Sequence, residues 1–203
     1  MNEQFHTIVM CVLLSVLSIM RLVFKIHAGI TREIVVPKAE EGIFFAARTI
    51  LGLILMSGLF MHLVLYEQFP WIRLPLPYPF RVTGMVLSFL ALVLLFVSHE
   101  NLGRNFSTKL TPKEDCSLVT NGLYAYVRHP MYSVYLLFFI GLFLLTTNWL
   151  IGGAGISIII LLMAGRTGKE ERLLEDRFGN AYEEYRKRTS RFLPSLNRTT
   201  KNR

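Results

Sequence analysis

An arginine, a histidine and a proline stand directly before a long apolar run in the segment GLYAYVRHPMYSVYLLFF, residues 122–139. Pro130 fits the first turn of a helix, because the N–H that proline lacks would have no partner there. Proline also disfavours helical dihedrals at the preceding residue, so Arg128 and His129 are expected just outside the helix N-terminus. Unpaired backbone N–H groups and the helix dipole favour an anion at that position. The spacing is equally compatible with an anion-receiving site and with an interfacial charge beside a capping histidine.

A second polar group follows the last apolar run, in the segment AGRTGKEERLLEDRFGNAYEEY, residues 164–185. Arg166 and Glu170 are four residues apart, so they share one face if the helix continues past the membrane. Gly179 predicts a break or a tight turn. An amphipathic helix with solvated glutamates would explain this segment by itself. Its position beside the Arg-His-Pro triplet, at one mouth of a helix bundle, indicates a functional site instead.

The elements that must position these residues are membrane helices. The 203 residues are 52% hydrophobic, and the mean hydropathy is +0.43, which is too apolar for an ordinary soluble domain. Five stretches approach the roughly 20 apolar residues that cross a bilayer. They cover residues 7–24, 43–66, 82–98, 131–147 and 149–165. The last two are so close that they predict a helical hairpin, and the sequence predicts an all-α, polytopic membrane bundle with a C-terminal cytoplasmic amphipathic helix.

The net charge of +8 follows this topology. Basic residues concentrate in the first and third connections and after Gly165, which lie on one side of a five-helix arrangement. By the positive-inside rule that side, with the active site and the C-terminus, is cytoplasmic, and the N-terminus is on the opposite side. The charge therefore gives no reason to expect a nucleic-acid partner. The basic residues after Glu184 suggest attraction to anionic lipid head groups, although the last several residues favour a disordered tail that follows the positive-inside bias.

Other polar residues in the apolar segments support no separate site. The five histidines show no zinc-type spacing, so no metal is expected. The sequence GGAG at 152–155 predicts close helix packing. Arg48, inside the second apolar stretch, favours snorkelling or a structural ion pair over a role with substrate.

Four motifs, in this order, resemble the isoprenylcysteine carboxyl methyltransferase family. The phospholipid N-methyltransferases are looser relatives. The motifs are LGRNFS (102–107), LVTNGLYAYVRHPMY (118–132), R…EE…L…FG…Y…Y (166–185) and RFLP (191–194). They cover roughly the C-terminal half. The apolar stretches and the resemblance together predict one integral membrane domain over residues 1–203. Residues 1–98 would supply three helices, and residues 99–203 the cofactor-binding loop, the hairpin and a catalytic C-terminal helix.

The resemblance also implies S-adenosyl-L-methionine as cofactor, bound within the membrane bundle, and a lipophilic or prenylated-cysteine-type acceptor that enters from the bilayer. Arg166 would face this acceptor as the catalytic and substrate-binding residue. The implied cofactor-binding residues are Cys116, Ser117, Leu118, Val119, Tyr124, Arg128, His129, Pro130, Met131, Tyr132, Glu170 and Glu171.

The residues suit methylation of a carboxylate. A free carboxylate, with a pKa near 3.5–4, is ionised at neutral pH and attacks without losing a proton. The protein then needs alignment and desolvation rather than a general base. Arg166 suits a carboxylate through charge-assisted hydrogen bonds, and the rings of Tyr124, Tyr126 and Tyr132 suit a sulfonium cation.

Three alternatives remain open on the sequence. In the first, the protein is a phospholipid-type N-methyltransferase and its acceptor is an amine. A membrane reductase of the sterol type would use NADPH and generally has more helices. A non-enzymatic membrane protein would leave the two polar motifs without a role.

Overall fold

The computed structural model describes residues 3–27, 42–103 and 117–194, and these are almost entirely helical. The predicted all-α membrane bundle is confirmed. Cys116, predicted to contact the cofactor, lies outside the described residues. The helices are α1 (Glu3–His27), α2 (Gly42–Val64), α3 (Tyr78–Leu102), α4 (Pro130–Thr146), α5 (Trp149–Phe178) and α6 (Asn180–Arg188).

Four of these helices, α1, α2, α3 and α5, are long and apolar enough to cross a membrane. The fifth predicted span corresponds to α4, which has 17 residues. At 1.5 Å per residue it measures about 25 Å, slightly less than the roughly 30 Å hydrocarbon core. The five predicted apolar stretches are therefore all helical, and α4 is the shortest of them.

The predicted hairpin joins α4 to α5 through two residues. Thr147 takes a left-handed conformation with φ 54°. The side chain of Asn148 then caps α5, since its Oδ1 accepts from the backbone N–H groups of Leu150 and Ile151 at 3.0 and 3.2 Å. The cap satisfies two donors that the start of a helix leaves unpaired. This turn aligns α5 against α4 along its whole apolar length.

Small residues let the central helices approach closely. A Cβ added at Gly84 of α3 would lie 2.5 Å from the carbonyl oxygen of Gly141 in α4, and one at Gly155 of α5 would lie 2.1 Å from the ring of Phe139. The packing role predicted for the GGAG segment is confirmed. The close approach of α3 to α4 helps to fix the position of the α3 C-terminus, which lies beside the polar loop before α4.

Helix α5 extends well beyond the apolar stretch predicted for it. Its 30 residues span about 45 Å, which exceeds the hydrocarbon core by about 15 Å. The helix continues through Gly165, so Arg166 and Glu170 lie on its projecting part. The predicted break is confirmed at Gly179, where φ is 51°, and α6 begins at the next residue. The C-terminal polar segment is thus the end of α5 followed by a short helix.

Polar contacts collect at the two ends of the bundle. At one end Arg81 donates to Glu3 at 2.6 Å and to the hydroxyl of Thr147 at 3.4 Å. At the other end the rings of Phe24 and His99 meet edge to face, 4.5 Å apart. The second end also holds the Arg-His-Pro triplet and the projecting part of α5, and it is called the site end below.

Candidate functional site

The loop before α4 is anchored to the end of α3. Gly122 opens a 3-10 turn over Gly122–Ala125 with φ 55°, the positive value that its sequence position suggested. A Cβ at Gly122 would lie 2.1 Å from the side-chain oxygen of Asn101 in α3. That same oxygen accepts from the backbone N–H of Leu123 at 2.9 Å. Glycine is therefore required here both for conformation and for space.

Helix α4 begins where the sequence predicts. Pro130 occupies its first turn, and His129 precedes it with φ −124°, outside helical dihedrals. The side chain of His129 makes no capping hydrogen bond to this helix. The first backbone N–H groups of α4 thus have no cap from that residue, and the helix dipole points its positive end toward the polar loop.

The chain after α6 runs alongside the Arg-His-Pro triplet, and residues 189–192 are called the C-terminal strap here. The backbone N–H of Arg128 donates to Ser190 O at 2.8 Å, and that of His129 donates to Arg191 O at 3.0 Å. One turn into α4, the hydroxyl of Ser133 donates to the carbonyl of Phe192 at 2.6 Å. Three hydrogen bonds therefore fix the strap against the start of α4.

Glu171 is the centre of an ion-pair cluster. Its Oε1 lies 3.1 Å from Arg128 Nε, 3.2 Å from His129 Nε2 and 3.1 Å from Arg191 Nε, and its Oε2 lies 2.6 Å from Arg191 Nη2. The Glu171 side chain is only 10% exposed. One carboxylate thus joins α5, the triplet and the C-terminal strap in surroundings where charges interact more strongly than in water.

Glu170 contacts the other face of the same histidine. Its Oε2 lies 3.5 Å from His129 Nδ1, while its Oε1 accepts from the Tyr132 hydroxyl at 2.8 Å and lies 3.6 Å from Arg166 Nε. The Glu170 side chain is 26% exposed. The two polar segments predicted to form one site are therefore in contact. The shared helical face of Arg166 and Glu170 is confirmed.

The two glutamates favour the charged form of His129. Burial by itself disfavours the cation, but hydrogen bonds to Glu170 and Glu171 and their negative charges outweigh burial, so the pKa of His129 is raised above its ordinary value. Each ring nitrogen faces a carboxylate, which is the arrangement that suits a doubly protonated imidazolium. The surroundings of His129 thus favour its protonated form.

We expect this cation to stabilise the fold in a pH-dependent way. A pKa raised by folding contributes stability that is complete below the unfolded-state pKa, about 6.5, and is lost as pH rises through the folded-state pKa. Thermal unfolding of the purified protein in detergent, at steps from pH 6 to 9, should show that His129→Gln lowers Tm most at pH 6 and least at pH 9. A difference in Tm that stays constant over this range would contradict the assignment.

The remaining predicted cofactor residues surround this cluster. Tyr124 is buried, and its carbonyl accepts from the Tyr185 hydroxyl at 2.7 Å. Met131 packs against the apolar core. Leu118 and Val119 are half-buried in the irregular segment that leads into the 3-10 turn, and Ser117 before them is exposed. Their contacts with a cofactor stay predictions.

Sequence reasoning missed the role of the C-terminal strap. The sequence suggests lipid attraction for the basic residues after Glu184, whereas Arg191 pairs with Glu171. The sequence signal for this role was the RFLP motif, in which Arg191 follows Glu171 by 20 residues. A basic residue surrounded by others in the sequence gives no sign of which carboxylate it will meet.

Comparison with known proteins finds a family and individual proteins that this chain resembles. Residues 82–176 match the sequence model of the isoprenylcysteine carboxyl methyltransferase (ICMT) family. A protein-S-isoprenylcysteine O-methyltransferase of Schizosaccharomyces pombe is 34% identical over 96 residues, which are 46% of this chain and 41% of that protein. Protein-S-isoprenylcysteine O-methyltransferase B of Arabidopsis thaliana is 30% identical over 116 residues, 56% of this chain and 59% of that protein. The chain thus spans about half the length of these relatives.

A solved structure supports the fold. It is described as the eukaryotic intramembrane Ras methyltransferase ICMT (isoprenylcysteine carboxyl methyltransferase) without a monobody. The match has a TM-score of 0.51 at 20% identity and covers 76% of this chain and 53% of that one. Together with the sequence matches, this common fold confirms that the chain resembles the isoprenylcysteine carboxyl methyltransferase family.

Proposed function

We propose that this protein is a membrane methyltransferase that uses S-adenosyl-L-methionine to methylate the carboxylate of a lipophilic acceptor, of the prenylated-cysteine type. The observation that carries the proposal is the contact of Glu170 with His129, Tyr132 and Arg166 at one end of a membrane bundle. These residues come from the two motifs that the family resemblance marks.

The residues at this end fit such a cofactor. Glu170 is partly exposed and, as a carboxylate, accepts more hydrogen bonds than the one it receives from Tyr132, so it suits hydroxyl or amino groups of a nucleoside or amino acid. The start of α4 suits a carboxylate, because the Pro130 turn carries no cap from His129. S-adenosyl-L-methionine supplies a methyl group on a sulfonium, which is an electrophile and a cation. The tyrosine rings around the triplet suit that cation.

The charge state of the cluster favours a carboxylate acceptor. Both ring nitrogens of His129 face glutamates that favour its protonated form, and a protonated imidazole does not remove a proton from an amine. A carboxylate needs no base, because it is already ionised at neutral pH. Arg166 then orients the acceptor through charge-assisted hydrogen bonds. The role of this chain is to align and desolvate the reacting groups.

The proposal also includes the orientation of the site in the membrane and the molecules that the protein contacts. The positive-inside rule assigns the site end and the C-terminus to the cytoplasm and the N-terminus to the opposite side. Membrane lipids surround the apolar helices. An acceptor with an apolar tail reaches the site laterally from the bilayer, which explains why the site is built at the mouth of a membrane bundle.

Transfer of a radiolabelled methyl group tests the proposal. Purified protein in lipid nanodiscs, given labelled S-adenosyl-L-methionine and a farnesylated cysteine, should form a product that alkali hydrolyses, as expected for an ester. The rate should be nearly flat from about pH 6 to 8, because the acceptor stays ionised throughout. An alkali-stable product whose rate of formation rises steeply with pH would identify an amine acceptor. No transfer to either acceptor would contradict the enzymatic assignment.

A further inference from the structure

A small cavity lies between α2 and α5 at the site end, with a volume of about 30 Å³. The residues that line it are of two kinds, cationic and apolar. Three residues are cationic, Arg48 from α2 with Arg166 and Lys169 from α5. The others are mainly apolar, and they include Phe44, Leu161 and Leu162. The lining therefore combines cationic and apolar side chains, which suits an anionic amphiphile.

The cavity adjoins the predicted cofactor site through one residue. Arg166 lines the cavity and also lies 3.6 Å from Glu170, which in turn contacts His129 and Tyr132. A group held by Arg166 on the α2 side is thus one side chain away from the glutamate assigned to the cofactor. The cavity is the part of the site where an acceptor arriving from the bilayer would meet that arginine.

Arg48 lies in the first two turns of α2, at the site end. It is the one charged residue of α2 if histidine is counted as neutral, within a 23-residue helix of high hydropathy. Ionisable residues in such helices usually pair with one another or line a functional cavity. Among the described residues no ion pair of Arg48 is found, and its recorded contact is with the ring of Phe45, at 5.5 Å from the ring centroid. The sequence favours snorkelling or a structural ion pair for Arg48, and the structure puts it on a cavity lined by two other cations.

We propose that Arg48 is a specificity-determining residue that, with Lys169 and Arg166, receives the carboxylate of the acceptor before methylation. The inference rests on the proposed function and adds the place and the charge of the acceptor site. The carboxylate lies in the cavity, and the apolar tail extends past Phe44 between α2 and α5 into the bilayer.

Charge selects the acceptor. Arg48 and Lys169, together with Arg166, which already faces Glu170, favour an anion and oppose a protonated amine. Specificity therefore depends on a helix that lies outside the segment matched by the family model, residues 82–176.

Binding of a non-reacting pair of probes tests this assignment. N-acetyl-S-farnesylcysteine and its methyl ester share one tail and differ by the charge, and both are titrated into the purified full chain in nanodiscs without methyl donor. Arg48→Gln should weaken binding of the acid about tenfold, because it removes a charge-assisted contact, and should leave binding of the ester unchanged. Arg48→Lys should keep most of the affinity for the acid. Lys25→Gln removes one positive charge from an exposed position of α1 and should change neither probe.

Two results would overturn the proposal. Equal weakening of acid and ester in Arg48→Gln would show that Arg48 only maintains the packing of α2 on α5, and unchanged binding of both would show that it has no part in the site. The test is separate from the proposed function, since no methyl group is transferred. If the wild-type protein prefers the acid through Arg48 but transfers no methyl group, the proposed activity is refuted and the acceptor site is kept. In an active enzyme, Arg48→Gln should raise KM for the acid about tenfold and change kcat little.

Discussion

Replacing Glu171 by alanine should abolish methyl transfer and release the C-terminal strap from the start of α4. The substitution leaves Arg128, His129 and Arg191 facing one another without the carboxylate that joins them. Removing one partner of a buried ion-pair network typically costs about 3–5 kcal/mol. Arg191 is 43% exposed, so water screens part of the loss, and we expect a cost near the lower limit, about 3 kcal/mol.

The same helix offers a matched control. Glu175, one turn further along α5, pairs with Arg186 at 3.1 Å, but both side chains are well exposed. Such surface pairs contribute about 0–1 kcal/mol, so Glu175→Ala should leave Tm and activity close to wild type. Hydrogen exchange of residues 189–192 measures the strap directly, and cofactor titration measures the site. Retained protection and cofactor affinity in Glu171→Ala would show that the cluster does not organise the site.

Alanine substitutions of Arg166 and Glu170 should have different effects on activity and cofactor binding, although the two residues are in contact. Arg166→Ala should lower methyl transfer by about a thousandfold or more, because it removes the residue that aligns the acceptor, while cofactor affinity changes little. Glu170→Ala should weaken cofactor binding about ten- to hundredfold, the effect of losing hydrogen bonds to a charged group.

Calorimetric titration of both variants with S-adenosylhomocysteine separates the two roles, because this ligand carries no methyl group to transfer. Glu170→Gln provides a further comparison, since it keeps the shape and one acceptor oxygen while removing the charge. Equal losses of affinity in Arg166→Ala and Glu170→Ala would contradict the division of roles, and would indicate that the 3.6 Å pair acts as a single unit.

Much of the fold was predictable from the sequence because the membrane restricts the choice. The backbone groups of a spanning segment must be satisfied internally, so long apolar runs become helices. Pro130 and Gly179 mark helix boundaries through dihedral restrictions that act locally. The same local rules predicted the hairpin and the shared face of Arg166 and Glu170. The helix ends differed by several residues, most of all at α5, since polar residues continue a helix once it leaves the bilayer.

The sequence predicted which residues form the candidate site, but not which of them contact one another. Motif spacing indicates that the triplet and the glutamate pair act together. It does not indicate that Glu171 faces Arg191 and Arg128 while Glu170 faces Tyr132 and Arg166. Adjacent residues on a helix point about 100° apart, so their partners depend on how neighbouring elements pack, which no local pattern encodes.

The sequence by itself determined a membrane bundle with five apolar helices, a helix that starts at Pro130 and a family resemblance confined to its C-terminal half. Only the tertiary structure decided that His129 lies between two carboxylates, that Arg191 closes the cluster, and that Arg48 of α2 reaches the cavity beside Arg166. The reason is physical. Helix formation depends on nearby residues and on the solvent, whereas the partner of a charge depends on which distant elements small residues such as Gly84 and Gly155 allow to meet.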